Sequence, residues 1–312
     1  MEIKDKNSIL EAIRKKENWE EFLAYKTERR HVDKREQKLL TEYIENEKYL
    51  MAYEQMKEGT FPNEYATKKF INKSGTGKKR VVYSFSDDVN IALKFIAHYL
   101  YIYDDRLEEN CYAFRKNHGV KQALGRLTGI RKLPEMYCFK ADIHNYFNSI
   151  DVTLLLEKMA FIKEDDLVLY GVFERILSQK YVNLSGHIIA EEHGAMAGLP
   201  IAPFFANIYL QKMDNFFENR KVIYFRYSDD ILIFADTESE LAEYKELFHT
   251  LLKEHRLSVN PSKMSEKSPG EKLEFLGFSY EQGRLDLSDN TKRKIKGKIK
   301  RKAEALRRWQ RK

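Results

Sequence analysis

Apolar residues in the first part of the chain recur at helical spacing, as at Ile9 and Ile13 and at Leu39, Leu40, Tyr43 and Ile44, among dense Glu, Lys and Arg. A helical lead-in over residues 1–58 is the expectation. Gly59, Pro62, Gly75 and Gly77 then break the pattern and the β-prone Val81, Val82 and Tyr83 follow, so 60–84 reads as a hairpin with a glycine-rich basic turn. A helix is expected over roughly 88–103, then an irregular, partly helical stretch closed by Pro134.

From Met136 the pattern is more regular. MYCFKA reads as a buried strand ending at Asp142, and Val152 to Lys180 carries helical spacing. A hairpin-like run from Tyr181 to Ala190 leads to the loop His193–Pro200 and a helix through Phe204, Ile208 and Met213. Two apolar runs, Val222–Tyr227 and Ile231–Ala235, are separated only by Ser228, Asp229 and Asp230, which predicts a tight hairpin with carboxylates at its tip. Thr237 and Glu240 form a capping box before a helix striped by Leu241, Tyr244, Phe248 and Leu251, and Leu257–Asn260 is expected as a last strand. The order βαββαβ over 136–260 is that of a split βαβ sheet, which would bring Asp142 beside Asp229 and Asp230.

Converging carboxylates raise one another's pKa unless a counter-charge is present, and a divalent cation is the usual remedy. Oxygen-only ligation with room for water and phosphates suits Mg²⁺, and two such ions about 3.5–4 Å apart stabilise the attacking and leaving oxygens of phosphoryl displacement. Asp87-Asp88, Asp104-Asp105 and Asp165-Asp166 sit at expected helix ends and read as caps. Only Asp229-Asp230 has apolar strand residues on both sides.

Charge sharpens this picture. The chain of 312 residues carries +7, but residues 291–312 hold twelve Lys/Arg and only Glu304 as an acid, leaving the first 290 residues at −4. Two other basic clusters stand out: Lys68, Lys69, Lys73, Lys78, Lys79 and Arg80, and the acid-free set Arg115, Lys116, Lys121, Arg126, Arg131 and Lys132. Such patches suit a polyanion, although each also reads as a solvated face. With 43% hydrophobic residues the chain has material for real cores, and disorder is excluded as its main state. No stretch is long and apolar enough for a membrane span, the charged start MEIKDKNSILEAIRKK does not read as a signal peptide, and two isolated cysteines fit a reducing compartment. A cytoplasmic protein without membrane contact is expected.

FKADIHNYFNSID, AGLPIAPFFANIYL, FRYSDDILIFAD, LSVNPSKM and FLGFSY, in that order, together with the upstream KKRVVYSFSDD and CYAFRKNHGVKQAL, resemble the successive motifs of reverse transcriptases over about residues 66–290. The similarity is closest to bacterial enzymes of the group II intron, retron and defence-associated types. It implies an α+β right-hand polymerase: a helical N-terminal region (1–58), fingers (59–134), a split βαβ, ferredoxin-like palm (135–265), a primer-grip hairpin (266–286) and a reduced thumb, the basic C-terminal helix (287–312).

Residue by residue, the resemblance implies that Asp142 and Asp229 ligate two Mg²⁺ ions, or Mn²⁺ in their place, helped by the Ile143 carbonyl, with Asp230 completing the acidic turn. Phe147 falls at the steric gate against a ribose 2′-hydroxyl; the residues alone also allow core packing beside Tyr146. Lys79 and Arg80 match the triphosphate grip, and Lys263 a lysine that protonates departing pyrophosphate, though a solvated loop position also fits it. Arg115, Phe275, Leu276 and Gly277 match primer or template contacts, while FLGF equally suits plain β packing.

Two departures matter. Ala197-Gly198 stands where the family has Gln-Gly, removing an amide that contacts the incoming nucleotide, and only about one helix remains for a thumb. His144, beside the acidic residues, is expected at the surface. The leading expectation is an RNA-directed DNA polymerase joining dNTPs to a primer end, with a dedicated noncoding RNA as template, DNA as product, and a protein partner or self-association completing the thumb. Its rivals are a template-independent or protein-primed DNA polymerase and a catalytically silent RNA-binding scaffold. A role in antiviral defence follows from the resemblance alone.

Overall fold

The computed structural model describes residues 9–29, 33–72 and 79–310. Four helices open it: α1 (Ile9–Arg14), α2 (Lys16–Arg29), α3 (Lys34–Glu45) and α4 (Lys48–Lys57). Their common core is aromatic. Trp19 is fully buried, stacks on Phe95 at 4.0 Å and donates its indole N–H to the Ile13 carbonyl, so the large ring leaves no polar atom unpaired.

β1 (Thr67–Asn72) and β2 (Lys79–Ser84) pair antiparallel from Thr67–Ser84 to Asn72–Lys79. The expected glycine-rich turn, with Lys73 and Lys78, lies outside the described residues. α5 (Asp87–Tyr99) continues as a 3₁₀ turn, Leu100–Arg106, and α6 (Val120–Gly129) is the short helix expected before Pro134.

β3 (Tyr137–Asp142) is followed by α7 (Tyr146–Ser149), α8 (Val152–Lys158), α9 (Ala160–Asp165) and α10 (Leu167–Leu177). The expected helical stretch 152–180 is therefore broken. Asp166, at φ −152°, accepts from Leu169 N and caps α10, and also accepts from Leu10 N, tying α1 to this layer. β4 (Tyr181–Leu184) and β5 (His187–Ala190) form the expected hairpin and join β1 in a sheet of order β2-β1-β4-β5.

α11 (Ala202–Asn219), β6 (Ile223–Tyr227), β7 (Asp230–Ala235), α12 (Glu238–Glu254) and β8 (Ser265–Lys267) complete a second sheet of order β6-β7-β3-β8. Thr237 accepts from Glu240 N, as the capping box requires. The last strand of this sheet is β8 rather than Leu257–Asn260. Pro261 opens a 3₁₀ turn there, and the 257–260 segment contributes an isolated bridge between Ile143 and Val259.

This sheet is buried on both faces. Phe139, Ile231 and Ile233 belong to the main core shared with the N-terminal helices, while Cys138, Leu232 and Phe234 belong to a second core with Leu124, Phe225 and Phe275. Two-sided burial explains why the β6 and β7 runs are apolar without alternation. Finally β9 (Leu273–Phe275), β10 (Phe278–Glu281) and β11 (Arg284–Leu287) form a three-stranded meander, followed by α13 (Asp289–Gln310), which has no buried residue.

Candidate active site

The end of β3 and the β6–β7 turn meet as the split sheet requires. Asp142 is paired across the sheet with Asp230, and Ile143 N donates to the Asp229 carbonyl at 3.1 Å. Ser228 and Asp229 form the two-residue loop between Tyr227 and Asp230. Ser228 has φ +61°, a left-handed conformation that favours glycine, held here with the residue buried. Backbone strain of this kind concentrates where a turn must aim its side chains.

The three carboxylates are not equivalent. Burial raises the Asp229 carboxyl above the ordinary carboxylate range, and the Asp142 charge adds to it. Asp230 is also raised, first by burial, but the largest charge acting on it is Lys140, which lowers it. Asp142 itself is 5% exposed and accepts a hydrogen bond from the Lys263 ammonium. Among the described residues no three or more carboxylate, imidazole or thiol groups are arranged to hold an ion. The charge of Asp142 acts on both Asp229 and Asp230, and only Asp230 has a lysine, Lys140, as its largest charged neighbour.

A loop closes the site from the other side. Tyr83 N of β2 donates to the Ala197 carbonyl at 2.8 Å, Ala197 N donates to Asn148 Oδ1 at 3.1 Å, and Ala195 N donates to the Phe147 carbonyl at 2.8 Å. These bonds hold the strand carrying Lys79 and Arg80 against the helix carrying Phe147. Gly198, at φ +106°, lies so close to β2 that a Cβ would sit 2.9 Å from the Tyr83 carbonyl oxygen. Arg80 is exposed, and its charge lowers the Asp229 carboxyl. Phe147 is half-buried, edge-on to Phe114 at 6.2 Å and to Tyr146 at 5.7 Å. His144 is exposed.

Other expected contacts are drawn elsewhere. Arg115 is turned inward: NH1 donates to the carbonyls of Glu108 and Cys111, and NH2 to that of Asp104. It clamps its own loop and also lines a cavity that Phe114 and Tyr227 border. Arg126 likewise donates to Tyr112 Oη and the Tyr224 carbonyl and Lys132 pairs with Asp236 at the surface, while Lys116, Lys121, Arg131 and Lys132 are exposed. Phe275 is a core residue against Phe225. Leu276 and Gly277, both at positive φ, form the β9–β10 turn, and Gly277 accepts from Ser288 N at the root of α13.

Residues 71–280 match the family described as reverse transcriptase (RNA-dependent DNA polymerase). The chain belongs to that family. Among solved structures, apo telomerase from Candida tropicalis has a TM-score of 0.56 at 14% identity, covering 78% of this chain and 53% of the telomerase chain. Telomerase from Candida albicans in complex with a TWJ fragment of telomeric RNA has a TM-score of 0.53 at 11% identity, covering 79% and 50%. At such identities the likeness is one of fold, and the chain spans about half the length of these telomerases. No curated protein matches the sequence.

In this reverse transcriptase fold a cavity of about 560 Å³ is lined by Tyr227, which precedes the acidic turn, together with Gly198, Pro200, Phe114, Tyr25 and Tyr101. A second cavity of about 740 Å³ shares Phe22, Tyr25, His98 and Tyr101 with it and extends along α2. Phe114, Asn148 and Arg226 were not singled out from the sequence. Arg226 left a trace there, as one charge inside an otherwise apolar strand.

Proposed function

We propose that the protein is an RNA-directed DNA polymerase that adds deoxynucleotides to a primer end, with divided duties around the Asp142–Asp229 junction. The observation that carries this reading is the backbone bond from Ile143 to Asp229, which locks two acidic residues distant in sequence at one place. The donor set fits hard cations, because burial and mutual repulsion hold Asp229 above its ordinary range and a divalent ion relieves both. Bound there, two Mg²⁺ ions would neutralise charge on the attacking and leaving oxygens. The Ile143 carbonyl is assigned as a further oxygen donor, and Asp230 as the residue that fixes the turn.

Arg80 and Lys79 grip the triphosphate, where a guanidinium fork matches phosphate oxygens. Phe147, backed by Phe114, excludes a 2′-hydroxyl. Lys263, bonded to Asp142, is assigned as the group that delivers a proton to pyrophosphate. Gly198 and Ala197 shape the floor of the nucleotide site through their backbone. The aromatic-lined cavities carry single-stranded template, since stacking on rings is sequence-tolerant. Residues 1–58, 59–134, 135–265, 266–286 and 287–312 then act as N-terminal helices, fingers, palm, primer-side hairpin and basic thumb helix.

The wording of the palm motifs supports placing the protein with bacterial group II intron, retron and defence-associated enzymes, and its biological role in antiviral defence, in the cytoplasm, with a dedicated noncoding RNA. The unpaired buried cysteines Cys111 and Cys138 suit that compartment. One observation favours a second reading: Ala197 offers only backbone groups, so template-independent extension competes. Primer extension on a defined RNA tests both. Products complementary to the RNA support the proposal, and homopolymer made from each single dNTP without RNA would replace it with the second reading.

A further inference from the structure

Arg226 is fully buried, three residues before Asp229, in the strand that leads into the acidic turn. Its guanidinium is saturated on one side by α11: Nε donates to Asp214 Oδ1 at 2.8 Å, NH2 to Asp214 Oδ2, and NH1 to Asn207 Oδ1 at 3.2 Å. NH2 also faces the Cys111 sulfur at 3.0 Å. Asp214 is equally buried and takes a further bond from the Tyr224 hydroxyl at 3.0 Å.

The backbone at the same residue is tied in the other direction. Arg226 N donates to the Asn110 carbonyl and Tyr112 N donates to the Arg226 carbonyl, both at 2.9 Å, and Asn207 Nδ2 donates to the Ala113 carbonyl at 2.8 Å. One residue therefore joins β6, α11 and the segment 110–113. Each of these runs directly into a wall of the candidate site. β6 continues into Ser228 and Asp229, α11 follows the loop of Ala197 and Gly198, and Ala113 precedes Phe114, which abuts Phe147.

Stability alone gives weak grounds for such a pair. Desolvating two charges costs about as much as their attraction returns, and apolar replacements of a buried pair are often neutral or stabilising. A planar fork on a carboxylate does supply something apolar packing lacks, a fixed angle and register. We propose that Arg226 and Asp214 are a positioning pair, which sets the acidic turn relative to α11 and to the Phe114–Phe147 gate and so governs both ion binding and sugar selection. This rests on the polymerase reading above for its second consequence only.

The test uses the full chain and the double variant Arg226→Met with Asp214→Leu, which removes both charges and leaves neither uncompensated, beside Arg226→Lys, which keeps a charge without the fork. Thermal unfolding, its dependence on Mg²⁺, and incorporation of a dNTP against the matching rNTP are measured for each. The double variant is expected to unfold at or above the wild-type temperature, to need about tenfold more Mg²⁺ for half-maximal stabilisation, and to incorporate dNTP about 100-fold more slowly with narrowed sugar discrimination. A folded double variant with wild-type Mg²⁺ dependence, rate and discrimination overturns the proposal. If the double variant does not fold, Arg226→Lys decides: the same shifts support the pair, and wild-type values overturn it. Wild-type protein that incorporates nothing overturns the polymerase reading, and the Mg²⁺ half-saturation then judges the pair by itself.

Discussion

The Lys263 ammonium is bonded to the Asp142 carboxylate across 121 residues of chain, so the most buried acid of the site is already neutralised by a cation of the protein itself. In the proposed site, a divalent ion arriving at Asp142 would compete with that ammonium. Lys263→Ala should therefore lower the Mg²⁺ concentration for half-maximal thermal stabilisation, by about tenfold if one close charge pair of about 1.4 kcal/mol is lost. The same variant should slow nucleotide addition, because the proposed proton donor to pyrophosphate is gone. An unchanged or weakened Mg²⁺ response would show that the ammonium does not occupy the ion's place.

Asp229 and Asp230 carry a pH dependence of definite sign. Both are raised above the ordinary carboxylate value by burial, so the folded chain holds these protons more tightly than the unfolded chain. Their contribution to stability then falls as pH rises from about 4, the unfolded value, through the raised folded values. Lowered groups such as Glu36 and Asp151 act in the opposite sense, so the comparison must be made against a variant. In metal-free protein the double change Asp229→Asn, Asp230→Asn should gain thermal stability relative to wild type as pH rises over that interval. A gap that does not widen with pH would contradict the assignment.

Gly198 should tolerate no side chain. Its φ of +106° disfavours any L residue, and a Cβ would meet the Tyr83 carbonyl at 2.9 Å and Val82 Cβ at 3.1 Å, atoms of the strand carrying Arg80. Gly198→Ala should lose about 1–3 kcal/mol in denaturant unfolding and should raise the KM for dNTP as β2 shifts. Wild-type stability with wild-type KM would show that this contact is dispensable.

α13 buries no residue, and Ile295, Ile299, Leu306 and Trp309 are exposed along it among its lysines and arginines. Deleting residues 291–312 should therefore leave thermal stability nearly unchanged while weakening nucleic-acid binding and flattening its salt dependence. Titrations with an RNA–DNA duplex at several salt concentrations measure this. An unaltered salt slope would make the helix a solvated face.

Much of the fold is legible in the sequence, for local reasons. The paired strands around Ser228–Asp230 announce themselves because two-sided burial makes both runs apolar, and the capping box at Thr237 needs only four residues. What escaped depends on partners far away in sequence. Arg115 looks like a free cation in an acid-free stretch, but its fork is consumed by three carbonyls of its own loop. Val259 has β-prone neighbours, yet Pro261 removes the N–H that a longer ladder would use, and the sheet edge moves on to Ser265–Lys267. The link from Arg226 to Asp214 is invisible in sequence because nothing local tells a buried fork from a surface one.

The Asp142–Asp229 junction is proposed to perform divalent-ion-dependent DNA synthesis on RNA. The most direct measurement is incorporation of dNTPs on a primed RNA template by wild type and Asp229→Asn, at matched folded concentration, with Mg²⁺ and with EDTA. Template-complementary product is expected from wild type with Mg²⁺ only, and none from a variant that remains folded. Product of undiminished yield from Asp229→Asn, or from wild type in EDTA, would contradict it.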